Sequence, residues 1–507
     1  MAINFIPNDP LASGGPPMRR KTPRANRPSS RAGFTFVAHQ PAALYQPGTA
    51  AFLFWQSREA ALAAVATYET LAGRKVTAWA RSSTPRRLDL QPNAGEDLNA
   101  YYDGRSLSFF AYTTGAKTTF SGASTDVLAH EAGHALLDQA HPQLWDSSFT
   151  ETNAFHEAFG DCTALVTALH DRLTREAVRT ALDRQNFVES LAEDLSDGVR
   201  RALGASHPAS APRHAWNSFR WQLPSTLPSS GPPSVLSAEI HSFGRIFVGC
   251  FYDTIRNILR ARIGAGKTPT QQQLWQAVRS AGILLVRAAA EAPETARFFQ
   301  SVGRTMVLVD QSLNGGANGP AIHDGFARHG VALGSAAMLA PTAALAGNPP
   351  ALGRGSGRGV LSPAALADLR RRIGAAPGAS ITVRPTVIAG QRVAHAAHLR
   401  EIPLAKLDRR LKGVVTLVPE PVLLGSADRT VAILGALPEA AATADEVNAF
   451  VASLLAADRI AFAPEDVKGG IGSAVKRDRR KRLPTHAVHA LRGRRVLRRV
   501  RFSCGEF

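Results

Sequence analysis

Apolar and polar positions along the chain mark out its elements. Phe34-Thr35-Phe36-Val37 alternates as a short strand does. Residues 54 to 72 (FWQSREAALAAVATYETLA) are Ala-rich with no internal Gly or Pro, which predicts a helix. Short strand patterns follow near 76–79, 87–90 and 107–112. From Thr125 a helical period takes over, with helices expected near 125–140, 150–170, 174–203, 239–262, 269–291 and 294–312, and a short one at 319–329. Phe243, Ile246, Phe247, Cys250 and Phe251 form a stripe at helical core spacing.

Interruptions divide this pattern. Residues 8 to 33 are rich in Pro, Arg and Ser, so a basic disordered arm is expected over 1–33. The main domain is expected over 34–331, with fold class α+β. Its first lobe, 34–140, mixes strands and helices, and its second, 141–331, is helical. A Pro/Ser-rich insert at 204–236 is too polar and broken for core. Low-complexity sequence predicts a linker at 332–361. Residues 362–507 then form a smaller mixed α/β module of unknown role. It shows helices at 363–374 and 442–456, strand runs at 380–388 and 413–418, and a terminal hairpin in THAVHAL-RGRR-VLRRVRF.

Composition narrows the class. The chain has 507 residues, 45% hydrophobic and 20% charged, enough for a sizeable core. Three cysteines (Cys162, Cys250, Cys504) cannot make a disulfide framework, and no apolar run spans a membrane. No secretory signal is visible, so a reducing, cytoplasmic location is expected, with export by a signal-independent route still open. Net charge is +19, but residues 1–37 carry +5 of it and residues 476–501 carry +11. A near-neutral body argues against a broad nucleic-acid face. The basic ends leave a polyanion partner open without favouring it.

The chemistry sits at Leu128-Ala129-His130-Glu131-Ala132-Gly133-His134-Ala135-Leu136. In this H-E-x-x-H pattern, residues i and i+4 share a helix face, so both imidazoles can reach one ion. Glu131 is not a ligand and can act on a water at the ion's open position. Gly133 is tolerable where another backbone comes close. The next helix contains Asn153-Ala154-Phe155-His156-Glu157-Ala158-Phe159-Gly160-Asp161. If residues 142–148 turn the chain back antiparallel, Glu157 can be a third ligand. Asp161, one turn on, can accept the free ring N–H of a ligand histidine.

D-V-L-A-H-E-A-G-H-A-L followed by N-A-F-H-E-A-F-G-D resembles the thermolysin family of zinc metallopeptidases (gluzincins), whose pattern is D-V-x-A-H-E-x-x-H and then N-E-A-x-S-D. Asn99-Ala100-Tyr101-Tyr102-Asp103-Gly104 is similar to the family's N-A-F-W-N-G edge strand, and Ile240-His241-Ser242 to its V-H-I-N-S. Residues 321–331 (AIHDGFARHGV) resemble the segment closing the family's helical lobe. The resemblance spans about 34 to 331. It implies one Zn²⁺ on His130, His134 and Glu157, Glu131 as general base, and His241 stabilising the transition state. It further implies that Asn99 and Ala100 pair with substrate backbone.

Departures stand beside these matches. His156 replaces the family's Asn, and Gly160 its Ser. The family's second oxyanion donor, a Tyr, has no clear equivalent, Trp145 being the nearest aromatic. Its substrate-carbonyl Arg is not placed among Arg200, Arg201, Arg213 and Arg220. Asp126 matches a calcium ligand, but Asp171 and Glu176 are interspersed with Arg172 and Arg175, so calcium is not expected.

Other candidates carry less. Gly264-Ala265-Gly266-Lys267-Thr268 lacks the spacing and context of a phosphate loop and reads as a helix-ending loop. His395 with His398, and His486 with His489, have no acidic or Cys partner nearby. Cys162 reads as an inert core thiol. The expected function is a zinc-dependent metalloendopeptidase. The alternative is a catalytically inactive or non-enzymatic zinc-fold protein whose basic ends dock it on a polyanion.

Overall fold

The Ala-rich segment closes into helix α1 (Ala50–Ala72), where the Thr49 hydroxyl accepts from Phe52 N and Gly73 ends the helix in the left-handed region. This computed structural model describes residues 1–36, 38–264, 266–334, 351–354, 363–372, 381–388, 391–427, 430–433, 440–463, 483–491 and 493–503. The architecture is mixed α and β, consistent with α+β. The described helices of the main domain continue as α2 (Thr125–Ala140), α3 (Thr150–His170), α4 (Arg172–Val178), α5 (Glu193–Leu203), α6 (Ile240–Ile263), α7 (Gln271–Glu291), α8 (Phe298–Asn314) and α9 (Gly319–Arg328). No helix among the described residues is long and apolar enough to cross a membrane.

Helices α2 and α3 run antiparallel at close range, because residues 130 and 134 of one face 161 and 156 of the other. A Cβ on Gly133 would lie 2.9 Å from Gly160 Cα, so glycine at these positions lets the backbones approach. Below them Phe155 packs edge-on against Phe247 and Phe298. The stripe read from residues 243–251 is this buried face of α6.

A five-stranded sheet lies beside the helices. Its strands are β1 (Gly33–Thr35), β2 (Arg87–Gln91), β3 (Ala100–Tyr102), β4 (Ser106–Phe109) and β5 (Phe502–Ser503), in the order β5-β3-β4-β2-β1. β5 comes from the far end of the chain and pairs antiparallel with β3, Phe502 opposite Tyr102 and Ser503 opposite Tyr101. The rest of the C-terminal module is an eight-stranded sheet with helices Pro363–Arg372 and Ala440–Ala456. Its hairpin pairs His486–Leu491 with Arg494–Arg499. A core cluster joins the two parts, with Phe149 and Ala296 among Ile402, Val418, Phe450 and Leu497. Arg297 of the helical lobe pairs with Glu446 at 2.5 Å.

Five expectations are corrected. The arm expected to be disordered over 1–33 is ordered: Ile3–Phe5 pairs with Arg19–Lys21, and Asn8 and Asp9 are buried. Its basic residues find carboxylates buried on α1, Lys21 reaching Glu59 at 2.8 Å and Arg27 reaching Glu69 at 2.5 Å. The helix expected over 174–203 is broken between α4 and α5. Asn186 Oδ1 accepts from Val188 N and Glu189 N, and Asp126 Oδ2 takes the Ala192 N–H at 2.7 Å, side chains thus competing with helical bonding. Ala192 accordingly turns to φ 61. The 204–236 insert contributes Ala215 to the core, with Trp216, Phe219 and Trp221 packed against it. Of the expected linker, Ala351–Arg354 is a strand paired with Thr430–Ile433, and 335–350 and 355–361 lie outside the described residues. Residues 76–79 are irregular rather than a strand.

Candidate metal centre

One turn of α2 carries His130 and His134 to the same side, their ring centroids 4.7 Å apart. Facing them, α3 presents Glu157. His130 Nε2, His134 Nε2 and His241 Nε2 lie 3.3, 3.5 and 3.1 Å from Glu157 Oε2. The distances are those of ion pairs, yet neither Glu157 oxygen nor the Nε2 atoms of His134 and His241 have hydrogen-bond geometry to a partner. Buried polar atoms converging without hydrogen bonds are costly unless something binds between them. The ligand atoms of His130, His134 and Glu157 lie within 4.8 Å of one another, and this group could hold a metal ion. Two imidazoles and one carboxylate suit zinc and leave a fourth position open.

Protonation favours a cation. Burial pushes His134 down to about 4, keeping it neutral. Burial alone would raise Glu157, but the charge of His241 and the neighbouring His134 and His130 hold it well below the usual carboxylate range. A neutral imidazole and an ionised carboxylate are the forms that bind metal.

Both histidines are oriented from behind. Asp161 Oδ1 lies 2.7 Å from His130 Nδ1, and Arg213 grips Asp161 through Nη2 at 2.7 Å and Nε at 2.9 Å. Burial would raise Asp161; Arg213 and His130 hold it well below the ordinary value. His134 Nδ1 lies 3.0 Å from His156 Nδ1. His156, whose pKa burial drives well below the usual histidine value, therefore supports His134 in the position where the resembling family has Asn. Gly160 is required by the same packing, since a Cβ there would lie 2.7 Å from the His130 ring.

Glu131 is fully buried on α2, one residue after His130. His241 opens α6, its Nδ1 2.7 Å from Oε1 of Glu239, the residue that caps the helix. Burial lowers His241, but Glu157 and Glu239 outweigh it and hold the ring well above its ordinary pKa. His241 and Arg213 also line an open pocket with Leu195, Val199, Pro212 and Pro233. Its walls thus include the Pro-rich insert. Asn99 and Ala100 lie at the start of β3, which is not the edge of its sheet because β5 pairs along its outer side; Asn99 Oδ1 accepts from Ala100 N at 2.8 Å and from Ser503 Oγ at 3.1 Å. Phe502 stacks on His134 and His156, with centroids 4.7 and 3.8 Å away.

The remaining expected residues fall elsewhere. The Trp145 indole donates to Arg499 O, so its N–H is already used. Of the four candidate arginines, Arg213 joins the centre through Asp161. Arg200 and Arg201 pair with Asp197, and Arg220 donates to Arg328 O. Asp126 does have acidic partners, contrary to the expectation: Asp9 and Glu193 meet it, the second group among the described residues that could hold a metal ion. Both partners lie elsewhere in the chain than Asp171 and Glu176. Burial raises Asp126 to about 6 and Glu193 to about 9. Roles for His156, Arg213 and Phe502 were not assigned from sequence. The substitution of Asn by His beside Glu157 was the one available signal, for His156. No protein-family model matches the chain, and no curated protein matches it.

Proposed function

We propose that the protein is a zinc-dependent metalloendopeptidase with a thermolysin-like fold over 34–331. The observation that carries this reading is Glu131. It is a fully buried carboxylate on the ligand helix, beside a His, His, Glu set whose outer partners Asp161 and His156 are in place. A purely structural zinc site needs no such carboxylate.

His130, His134 and Glu157 would hold the zinc, which would polarise a carbonyl as a Lewis acid and lower the pKa of a water toward ~7. Glu131 accepts that water's proton and returns it to the leaving amine. Asp161 and His156 fix the ring orientations of His130 and His134, so that each turns Nε2 inward. His241, kept charged by Glu157 and Glu239, donates from Nε2 to the oxyanion of the transition state. Strand β3, which begins at Ala100 just after Asn99, aligns the peptide by backbone pairing on the side that β5 takes in this structure.

The polyanion-docking alternative needs accessible basic ends. Several of those arginines are engaged internally: Arg498 pairs with Asp146, and Arg499 and Arg501 are buried. The test is cleavage of an unbiased peptide library by zinc-loaded protein, with Glu131→Gln in parallel. Because Phe502 stacks on His134 and His156, each is also assayed without residues 501–507. The Glu131→Gln forms should keep zinc and lose cleavage by at least a hundredfold. Undiminished cleavage, or none in any form carrying Glu131, would overturn the reading.

A further inference from the structure

The last described residues lie where a peptide substrate would lie in the proposed peptidase. Strand β5 adds to the free side of β3 in antiparallel register. Pairing with a sheet edge supplies main-chain affinity, and alternate side chains enter the pockets on either face. Phe502, fully buried, reaches the metal centre: its ring stacks on ligand His134 and on His156 and meets Trp145 edge-on. Arg501 points its guanidinium at the Tyr101 ring, 5.3 Å from the centroid. Arg499 lies over Phe502 at 3.8 Å and bonds Asn153 Oδ1. Arg499 and Trp145 also exchange hydrogen bonds, each side chain donating to the other's carbonyl at 3.2 Å.

We propose that Arg499–Ser503 is a built-in, substrate-like occupant of the cleft, and that it reports the class of peptide the site takes. That class is an extended segment with an aromatic side chain set against His134 and His156, and arginines one and three residues before it. The role given to the cleft rests on the peptidase reading; the occupancy of the edge strand does not. An occupant tethered in the same chain is held at high effective concentration, so peptides in solution compete poorly until it leaves. The full chain is therefore held back by its own end.

The probe is a synthetic peptide of the sequence of residues 498–503, RRVRFS, added to the zinc-loaded full chain. Deuterium exchange should show β3 and residues 499–503 slow together. Saturating peptide should speed exchange of 499–503 while β3 stays slow. In full-length Phe502→Ala the peptide should bind at least tenfold more tightly than in wild type, and its RRVRAS analogue at least tenfold more weakly than RRVRFS. Cleavage of a library by Phe502→Ala should exceed wild type at least tenfold and be inhibited competitively by RRVRFS. If Phe502→Ala fails to fold, the wild-type exchange experiment decides alone. Exchange of 499–503 that is fast without peptide, or indifferent to it, overturns the proposal. So does equal binding of the two peptides. Displacement of the tail with no hydrolysis by any form would sink the peptidase reading and leave the occupancy standing. Full wild-type hydrolysis without displacement would do the reverse.

Discussion

His134 Nδ1 and His156 Nδ1 face each other at 3.0 Å, so one ring donates and the other accepts. A metal on His134 Nε2 requires that His134 donate, which makes His156 the acceptor and places its own proton on Nε2. Replacing His156 by Leu removes the acceptor. Zinc affinity, measured by competition with a chromogenic chelator, should fall about 10–100-fold. His156→Asn restores an acceptor and should lie within a few fold of wild type. Unchanged affinity in the Leu variant would show that His156 is only packing.

Gly160 separates α3 from the His130 ring. Alanine there places a Cβ 2.7 Å from His130 atoms, and a ring between two helices has little room to retreat. Gly160→Ala should cost about 1–3 kcal/mol of stability and lower zinc occupancy. Calorimetry with metal analysis checks both. Normal occupancy and melting temperature would mean that the helices move apart freely.

His241 is assigned to the transition state. His241→Ala should lower kcat by two to three orders of magnitude, about 3–4 kcal/mol, with little change in KM and zinc retained. Steady-state kinetics beside metal analysis separates this from loss of the ion. A rise in KM alone would make His241 a binding residue.

Glu294 is buried with Oε1 unpartnered, and burial pushes its pKa to about 7, with Asp146 adding to the rise. For an acid whose folded pKa is raised, the folded state keeps a proton that the unfolded chain has lost. Stability is therefore fullest below about pH 4.5, falls as pH rises toward about 7, and levels off above it. The loss is on the order of 3 kcal/mol at most. Denaturant titrations should show this slope flattened in Glu294→Gln. The same slope in both proteins would contradict the assignment.

The parts legible from sequence were the local ones. His130 with His134, and Glu157 with Asp161, are i, i+4 pairs, and a helix's own geometry puts such pairs on one face. Gly133 could be read as a point of close approach, though not that Gly160 would meet it. What escaped depends on residues far apart in the chain. Asp126 breaks the expected 174–203 helix by taking the Ala192 N–H, and Glu59 and Glu69 order an arm whose composition reads as disorder. Nothing in VLRRVRF marks Phe502 as leaving its hairpin for another sheet. Only the tertiary fold brings it to His134 and Tyr102.

Zinc stoichiometry decides whether His130, His134 and Glu157 form a metal site. Elemental analysis of purified wild type, His134→Ala, Glu157→Ala and Glu131→Gln should give one zinc per chain in the wild type and in Glu131→Gln. The two ligand variants should lose it. Full zinc in both His134→Ala and Glu157→Ala, or none in the folded wild type supplied with the metal, would contradict the account.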